Sequence, residues 1–359
     1  MKLTLSVCAL ALVASASQTF AGAPATCTPT GFMRDGLNLT AARINPPGTV
    51  SGNVDGTGCN IVIYYGPNTR GHVVAANVHG ANYYGIVNNG GNIDVENSAI
   101  SDIGEKPFNG TQHGVAVYWA SGSGAKGEIE SNFIWNYQKG GIVVNGPNTS
   151  ASIQNNSVIG LGPVNYIAQN GIEAGLGAET RIQQNLVTGN SYTGPGGASS
   201  GGILVYGGPC FGGPITTNTL VQQNTALGND VGIYLINLDV QPTCNPVSTP
   251  TKNTAQGNAL INNAVNNTSG NGDGRGYQAG IDDQGDFDVI RFNLICGPGY
   301  TGPSTPTTVI IPIDTTATNN PKVDDNVICG KNTEPEATAN VAAAAAPLSA
   351  AKPKPSPAP

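Results

Sequence analysis

Along this chain the apolar residues fall into short clusters with one polar residue set at a fixed place inside them. The pattern apolar-x-x-Asn-x-apolar is centred on Asn77, Asn132, Asn156, Asn185, Asn224, Asn258, Asn293 and Asn326, and Val95-Glu-Asn-Ser98-Ala-Ile100 carries Ser at the Asn position. The eight intervals from Asn77 to Asn326 average near 31 residues. Most units are followed by Gly, an apolar residue and a short strand, at Gly85-Ile86, Gly114-Val115, Gly141-Ile142, Gly171-Ile172, Gly202-Ile203, Gly232-Ile233 and Gly280-Ile281. Each repeat therefore predicts two short strands separated by a turn, neither long enough to bury a core as a hairpin. Stacking the repeats resolves this: strands of successive coils pair in parallel, ~4.8 Å apart, and the inward side chains of one coil pack on those of the next. Asn suits the turn because it tolerates tight backbone, and stacked Asn side chains hydrogen-bond up and down a ladder.

Composition agrees with an all-β chain. Of 359 residues, 50 are Gly, 25 are Pro and only 10% are charged, while 39% are hydrophobic, which fits neither a solvated disordered chain nor a helical bundle. The formal net charge of −7, with no Lys/Arg cluster, excludes nucleic acid and anionic membrane surfaces as expected partners. Lys2, the apolar stretch Leu3 to Val13 and the small-residue site Thr19-Phe20-Ala21 read as an export signal over residues 1–21. That stretch is too short to span a bilayer, and no later apolar run is a transmembrane candidate, so a secreted protein (periplasmic, extracellular or cell-surface) is expected.

Cysteine usage fits the same compartment. Outside the signal there are six: Cys27, Cys59, Cys210, Cys244, Cys296 and Cys329. Sequential pairing gives separations of 32, 34 and 33 residues, each close to one repeat, so each bridge is expected to join equivalent points one coil apart.

The Asn turns followed by Gly-Ile strands, over roughly residues 60–330, resemble the right-handed parallel β-helix proteins of the pectin-lyase-like superfamily. The resemblance implies a single-stranded right-handed parallel β-helix with disulfide-linked ends. It also implies a function among polysaccharide lyases, epimerases, glycoside hydrolases and non-catalytic surface proteins. The expected organisation is a cap over 22–60, the β-helix over 61–332 and an Ala/Pro-rich flexible tail over 333–359. Of the polygalacturonase signatures only Asp282-Asp283 matches, so that assignment is rejected.

The loops between each Asn and the next Gly vary from 8 to 22 residues, so long insertions should wall a groove along the Gly-Ile sheet. Alternation then puts Val87, Ala116, Val143, Glu173, Leu204, Tyr234 and Asp282 on its outer face, with Tyr206 in the next outward column. Candidate sugar-stacking aromatics are Tyr118, Trp119, Trp135, Tyr137, Tyr206 and Tyr234. Glu173 and Asp282, three coils or roughly 14 Å apart, are too distant to act as a glycosidase pair. The densest ionisable cluster, Asp273, Arg275, Asp282, Asp283, Asp286 and Asp288, offers oxygen ligands for Ca²⁺ through Asp273, Asp282, Asp283 and Asp286. The superfamily's Ca²⁺-dependent lyases would cast Arg275 as the base, leaving Arg275, Asp282 and Glu173 as catalytic candidates. The expected partner is an extracellular polysaccharide or cell-surface component. The alternative is a non-enzymatic matrix protein or adhesin.

Overall fold

The computed structural model describes residues 26–330 except 121, 269 and 271–273, so the expected export signal, the expected Ala/Pro-rich tail and Asp273 lie outside the described residues. The chain is an all-β parallel helix of stacked coils. One sheet runs the length of the stack: β1 (Thr28–Arg34), β2 (Leu37–Ile44), β3 (Ile61–Tyr65), β4 (Tyr84–Asn88), β5 (Val115–Trp119), β6 (Gly140–Asn145), β7 (Asn170–Gly175), β8 (Gly201–Gly207), β9 (Val231–Asn237), β10 (Gly276–Gln284) and β11 (Thr308–Asp314). From β2 onward every pairing in it is parallel.

A second sheet collects the rest of each coil. In the regular coils it contributes two short strands, as in Ser150–Gln154 and Ser157–Ile159, so a coil has three strands rather than the two expected. The Asn ladder sits at the bend between them. Asn132, Asn156, Asn185, Asn224, Asn258, Asn293 and Asn326 pass an amide hydrogen bond from coil to coil, Nδ2 to Oδ1, at 2.9–3.1 Å. Each Oδ1 also accepts the backbone N–H of the ladder residue one coil before, as Asn185 does from Asn156 and Asn132 from Ser98, both at 3.0 Å. The residue preceding the ladder position takes left-handed φ, 55–57° at Asn155, Gln184 and Gln223. The first coil departs from the expected alignment by one residue. There Ala75 has the positive φ and the buried Ala76 occupies the ladder position, taking the Ser98 hydroxyl on its N–H, while Asn77 is exposed and bonds Asn53.

The recurring glycines have a steric origin. In β4 and in β6 to β10 two successive residues, the glycine and the Ile after it, lie over the core. A Cβ on Gly141, Gly171 or Gly232 would meet the carbonyl oxygen of the glycine in the next coil at 2.6 Å, nearer than atoms pack. In β5 the register pairs Val117 with Ile86 and Ile142, so Ala116, not Gly114, stands in this column, and Tyr118 rather than Ala116 faces outward. The core is the resulting stack: Ile86, Val117, Ile142, Ile172, Ile203, Ile233 and Ile281 oppose Ile100, Ile134, Val158, Val187, Ala226, Leu260 and Ile295.

Disulfides join Cys27–Cys59, Cys210–Cys244 and Cys296–Cys329, the sequential pairing expected from the spacing. The outer two secure the described ends of the stack. Among the described residues no helix is long and apolar enough to cross a membrane.

Replacing Asn185 by Leu should lower stability by roughly 1–3 kcal/mol, because Asn156 and Asn224 each lose a buried partner. Urea denaturation should show this as a lower midpoint at unchanged m. An unshifted midpoint would mean that the ladder adds nothing beyond the backbone pairing.

Candidate functional site

The outer face of the long sheet divides into a covered half and an open half. β1 and β2 form a hairpin through the two-residue turn Asp35-Gly36, where φ is 52° and 78°, the left-handed pair that a type I′ turn requires. Phe32 on this hairpin packs over the outward tyrosines of three successive coils, with ring centroids 6.1 Å from Tyr64, 6.2 Å from Tyr84 and 6.4 Å from Tyr118. Tyr64, Val87, Tyr118 and Val143 are buried there, although they point away from the core of the coils.

Beyond β6 the face is open and forms a groove of about 610 Å³. Strand register aligns its floor as a column, Glu173, Leu204, Tyr234, Asp282 and Asp314, one residue per coil. Tyr206, Ile236 and Gln284 form a parallel second column. Insertions supply the walls. Gly197 and Ser199 come from residues 189–200, and Phe211 comes from the loop after β8, its ring edge-on to Tyr206 at 5.4 Å. The Cys210–Cys244 bridge ties that loop to the one after β9.

Buried Asp230 pins the first wall. One carboxylate oxygen accepts the N–H groups of Tyr192 (2.8 Å) and Ser200 (2.9 Å) and the Asn267 amide (3.0 Å), and the other accepts the Ser191 hydroxyl (2.7 Å). Burial raises its carboxyl to about 6 against these four donors.

Asp282 and Asp314 are register partners on the last two strands of the sheet, whose backbones in a parallel pair lie ~4.8 Å apart. Burial, reinforced by the Asp314 and Asp283 charges, pushes the Asp282 carboxyl up to about 7, although Gln284 donates to it at 3.0 Å. Asp314 accepts the Tyr277 hydroxyl at 2.8 Å and the N–H and hydroxyl of Thr316 at 3.0 and 2.7 Å. The Tyr277 hydroxyl also reaches Asp282, and burial beside the two carboxyls drives its own ionisation far above the ordinary range. A group able to hold a proton at neutral pH thus faces a partner that works as an acceptor. At the other end Glu173 accepts the Asn170 amide at 2.9 Å, and Lys139 donates to the Ala168 carbonyl at 2.8 Å, its pKa lowered by burial against the pull of Glu173.

The groove brings together Glu173, Tyr206, Tyr234 and Asp282 from the sequence candidates. The other aromatics are elsewhere. Trp119 and Tyr137 are fully buried, Trp119 because alternation turns it inward beside Tyr118, and Tyr137 with its hydroxyl on Asn190 at 2.7 Å. Tyr118 lies under Phe32, and Trp135 stacks near Phe133 (4.7 Å) on the other sheet. Arg275 precedes β10 and is not among the groove-lining residues.

The described members of the expected Ca²⁺ set do not converge. Asp282 faces the groove and Asp283 the interior, because neighbours on a strand point to opposite faces, while Asp286 bonds Asn320 at 3.0 Å. Among the described residues no group of three His, Cys, Asp or Glu side chains is placed to hold a metal. Asp283 pairs instead with Asp288, both fully buried. Asp283 accepts the Gly285 N–H and Thr318 hydroxyl, and Asp288 accepts the Thr251 hydroxyl and Asn253 N–H.

Tyr277, Phe211, Lys139 and Asn170 line the groove without being sequence candidates, and so does Asp314. The signal was present: Ile313-Asp314 repeats Ile281-Asp282 at a spacing of 32 residues, but Pro312 stands where the preceding coils have Gly.

Fold and groove together define a parallel β-helix with an open aromatic and acidic channel on one sheet. No family model matches the chain, and no curated protein matches it. Among solved structures it is similar to the Dettilon tailspike protein, at 12% identity and a TM-score of 0.40, over 77% of this chain and 54% of that one. The chain thus spans about half the length of that neighbour.

Proposed function

We propose that this is an exported glycan-active protein whose groove binds an extracellular polysaccharide and hydrolyses its glycosidic bonds. The observation that carries the reading is the Asp282–Asp314 pair, on register-matched strands and set in a channel lined by Tyr206, Phe211, Tyr234 and Tyr277. Aromatic faces with few rotamers suit sugar rings, and two carboxyls with unlike environments suit acid-assisted cleavage.

In this scheme Asp282 gives its proton to the leaving glycosidic oxygen as that C–O bond breaks, and Asp314 attacks the anomeric carbon. Water then cleaves the glycosyl ester, passing a proton back to Asp282 and freeing Asp314. Register-matched residues on neighbouring strands, whose backbones lie ~4.8 Å apart, suit the shorter carboxyl separation of this double displacement better than the wider one of direct attack by water. The resemblance to the pectin-lyase-like superfamily supports the substrate class, and the export signal and three disulfides support an extracellular setting.

The test is release of reducing ends from a panel of neutral and uronate-containing polysaccharides. Turnover should survive Ca²⁺ chelation, and it should vanish in Asp314→Asn while the melting temperature holds. Activity that persists in Asp314→Asn would remove the pair from the mechanism. Release of unsaturated rather than hydrated ends would replace hydrolysis by elimination.

A further inference from the structure

Among the described residues the groove is closed at one end by the β1–β2 hairpin and runs at the other to the last strand of the sheet. Along the sheet, the outward column is buried as far as Glu173 on β7, first becomes accessible at Leu204 on β8, and ends at Asp314 on β11, the last strand of this sheet among the described residues. What closes it is the β1–β2 hairpin. Phe32 roofs the tyrosines of β3 to β5, and the Arg34 guanidinium beside the hairpin turn lies within electrostatic reach of the hydroxyls of Tyr84, Tyr118 and Tyr206. Tyr206, the first large side chain of the second column, is held by the Asn145 side chain on β6, so the covered face and the channel meet there. Asp35 at the turn lies 4.0 Å from His113, and His113 stacks on Tyr83 and bonds Glu105 at 2.7 Å, which fixes the hairpin tip to the body of the stack. The Cys27–Cys59 bridge fixes its base.

We infer that the groove accepts the end of a glycan chain rather than its middle, and that cleavage releases a short product of one length. The inference rests on the reading of the groove as a glycan site. The reacting pair stands at the end away from the hairpin, and Glu173 lies three strand steps toward the hairpin, a run of roughly 14 Å. A sugar unit laid along the column spans about one such step, so about three units fit between the carboxyls and the wall. A polymer threaded through the site would have to continue through Phe32 and Arg34. A chain end stops against Lys139, Asn170, Glu173 and Tyr206, whose ammonium, amide, carboxylate and phenol groups suit the extra hydroxyl that only a terminal sugar carries.

The probe is an array of neutral and uronate-containing oligosaccharides of graded length, each presented free, capped at one terminus, or capped at both. Binding is measured on Asp282→Asn and cleavage on the wild type. Expected are loss of binding by at least about tenfold when one particular terminus is capped, no binding of doubly capped chains, and a single short product with slow loss of polymer viscosity. Arg34→Ala, which removes the hairpin guanidinium near Tyr206 without touching the carboxyls, should admit a longer product. Doubly capped chains that bind like free ones, or a ladder of products with rapid viscosity loss, would overturn the inference while leaving hydrolysis in place. End-dependent binding with no cleavage would do the reverse, and binding to no glycan would overturn both.

Discussion

Thermal stability should fall as pH rises from about 4 to 8, and Asp288→Asn should remove much of that slope. Asp283 and Asp288 are buried in the same coil, and burial next to Asp283 pushes the Asp288 carboxyl up to about 8. Asp283 is raised as well, burial again being the main cause. A carboxyl raised in the folded state holds a proton that the unfolded chain has already lost near pH 4, so the folded form binds more protons across the window between the two values. Stability is therefore greatest below about pH 4 and declines until the folded pKa is passed. Asp230, raised to about 6, and Asp282, raised to about 7, add to the same slope.

An Asn at 288 keeps an oxygen for Thr251 and Asn253 and offers Asp283 an amide N–H that no pH change removes. The expected gain at pH 8 is on the order of several kcal/mol, or roughly 5–10 °C in melting temperature, shrinking toward nothing at pH 4. Parallel melting curves for variant and wild type across this range would show that the two carboxyls share no proton.

The second large effect is on turnover. Asp282→Asn should reduce kcat by about 10²- to 10⁴-fold, the usual scale for losing a positioned proton donor. The pH dependence carries more information than the loss. If Asp282 is the acid, activity should drop as pH rises through about 7, where its carboxyl gives up the proton. Gln284→Ala removes a hydrogen bond that favours the charged form, so that limb should move to higher pH, with the acidic limb unchanged. A limb that stays in place in Gln284→Ala would assign it to another group.

The sequence made the stack legible because each coil repeats the same steric demands: an amide at one bend and an absent Cβ over the next coil's carbonyl. The errors came where a coil meets those demands with another residue. Ala76 replaces Asn at the bend and Ala116 replaces Gly in the strand, and Asn77, one residue on, and Gly114, two residues back, offered a plausible but shifted frame. A shift of one residue, as at Asn77, reverses every side chain, whereas the shift of two at Gly114 moves the column along the strand and brings Tyr118 rather than Ala116 to the outer face. The groove's position followed from loop lengths and alternation. Its boundary did not, because the roof is a hairpin from the start of the chain that lands on coils far away in sequence, and no local pattern records that contact. The Asp35-Gly36 turn announces a hairpin but not what it covers. The acidic cluster suggested a cation because its residues are close in sequence. Space separates them, with Asp282 in the channel and Asp283 and Asp288 inside the coil.

The ladder and the glycine column also bear on how such a molecule changes over time. Both set the same vertical step through the regular coils, so a whole turn there can be duplicated or lost without disturbing the turns on either side. A fraction of a turn cannot, because it would set amide against hydrophobe and side chain against carbonyl. Length is therefore quantised, and the channel, built from the same steps, would lengthen or shorten by whole strands while its roofed end and its acidic end stayed intact. Surface insertions, by contrast, vary freely. Heredity in this architecture would thus act through two alphabets, one counting turns and one decorating their edges.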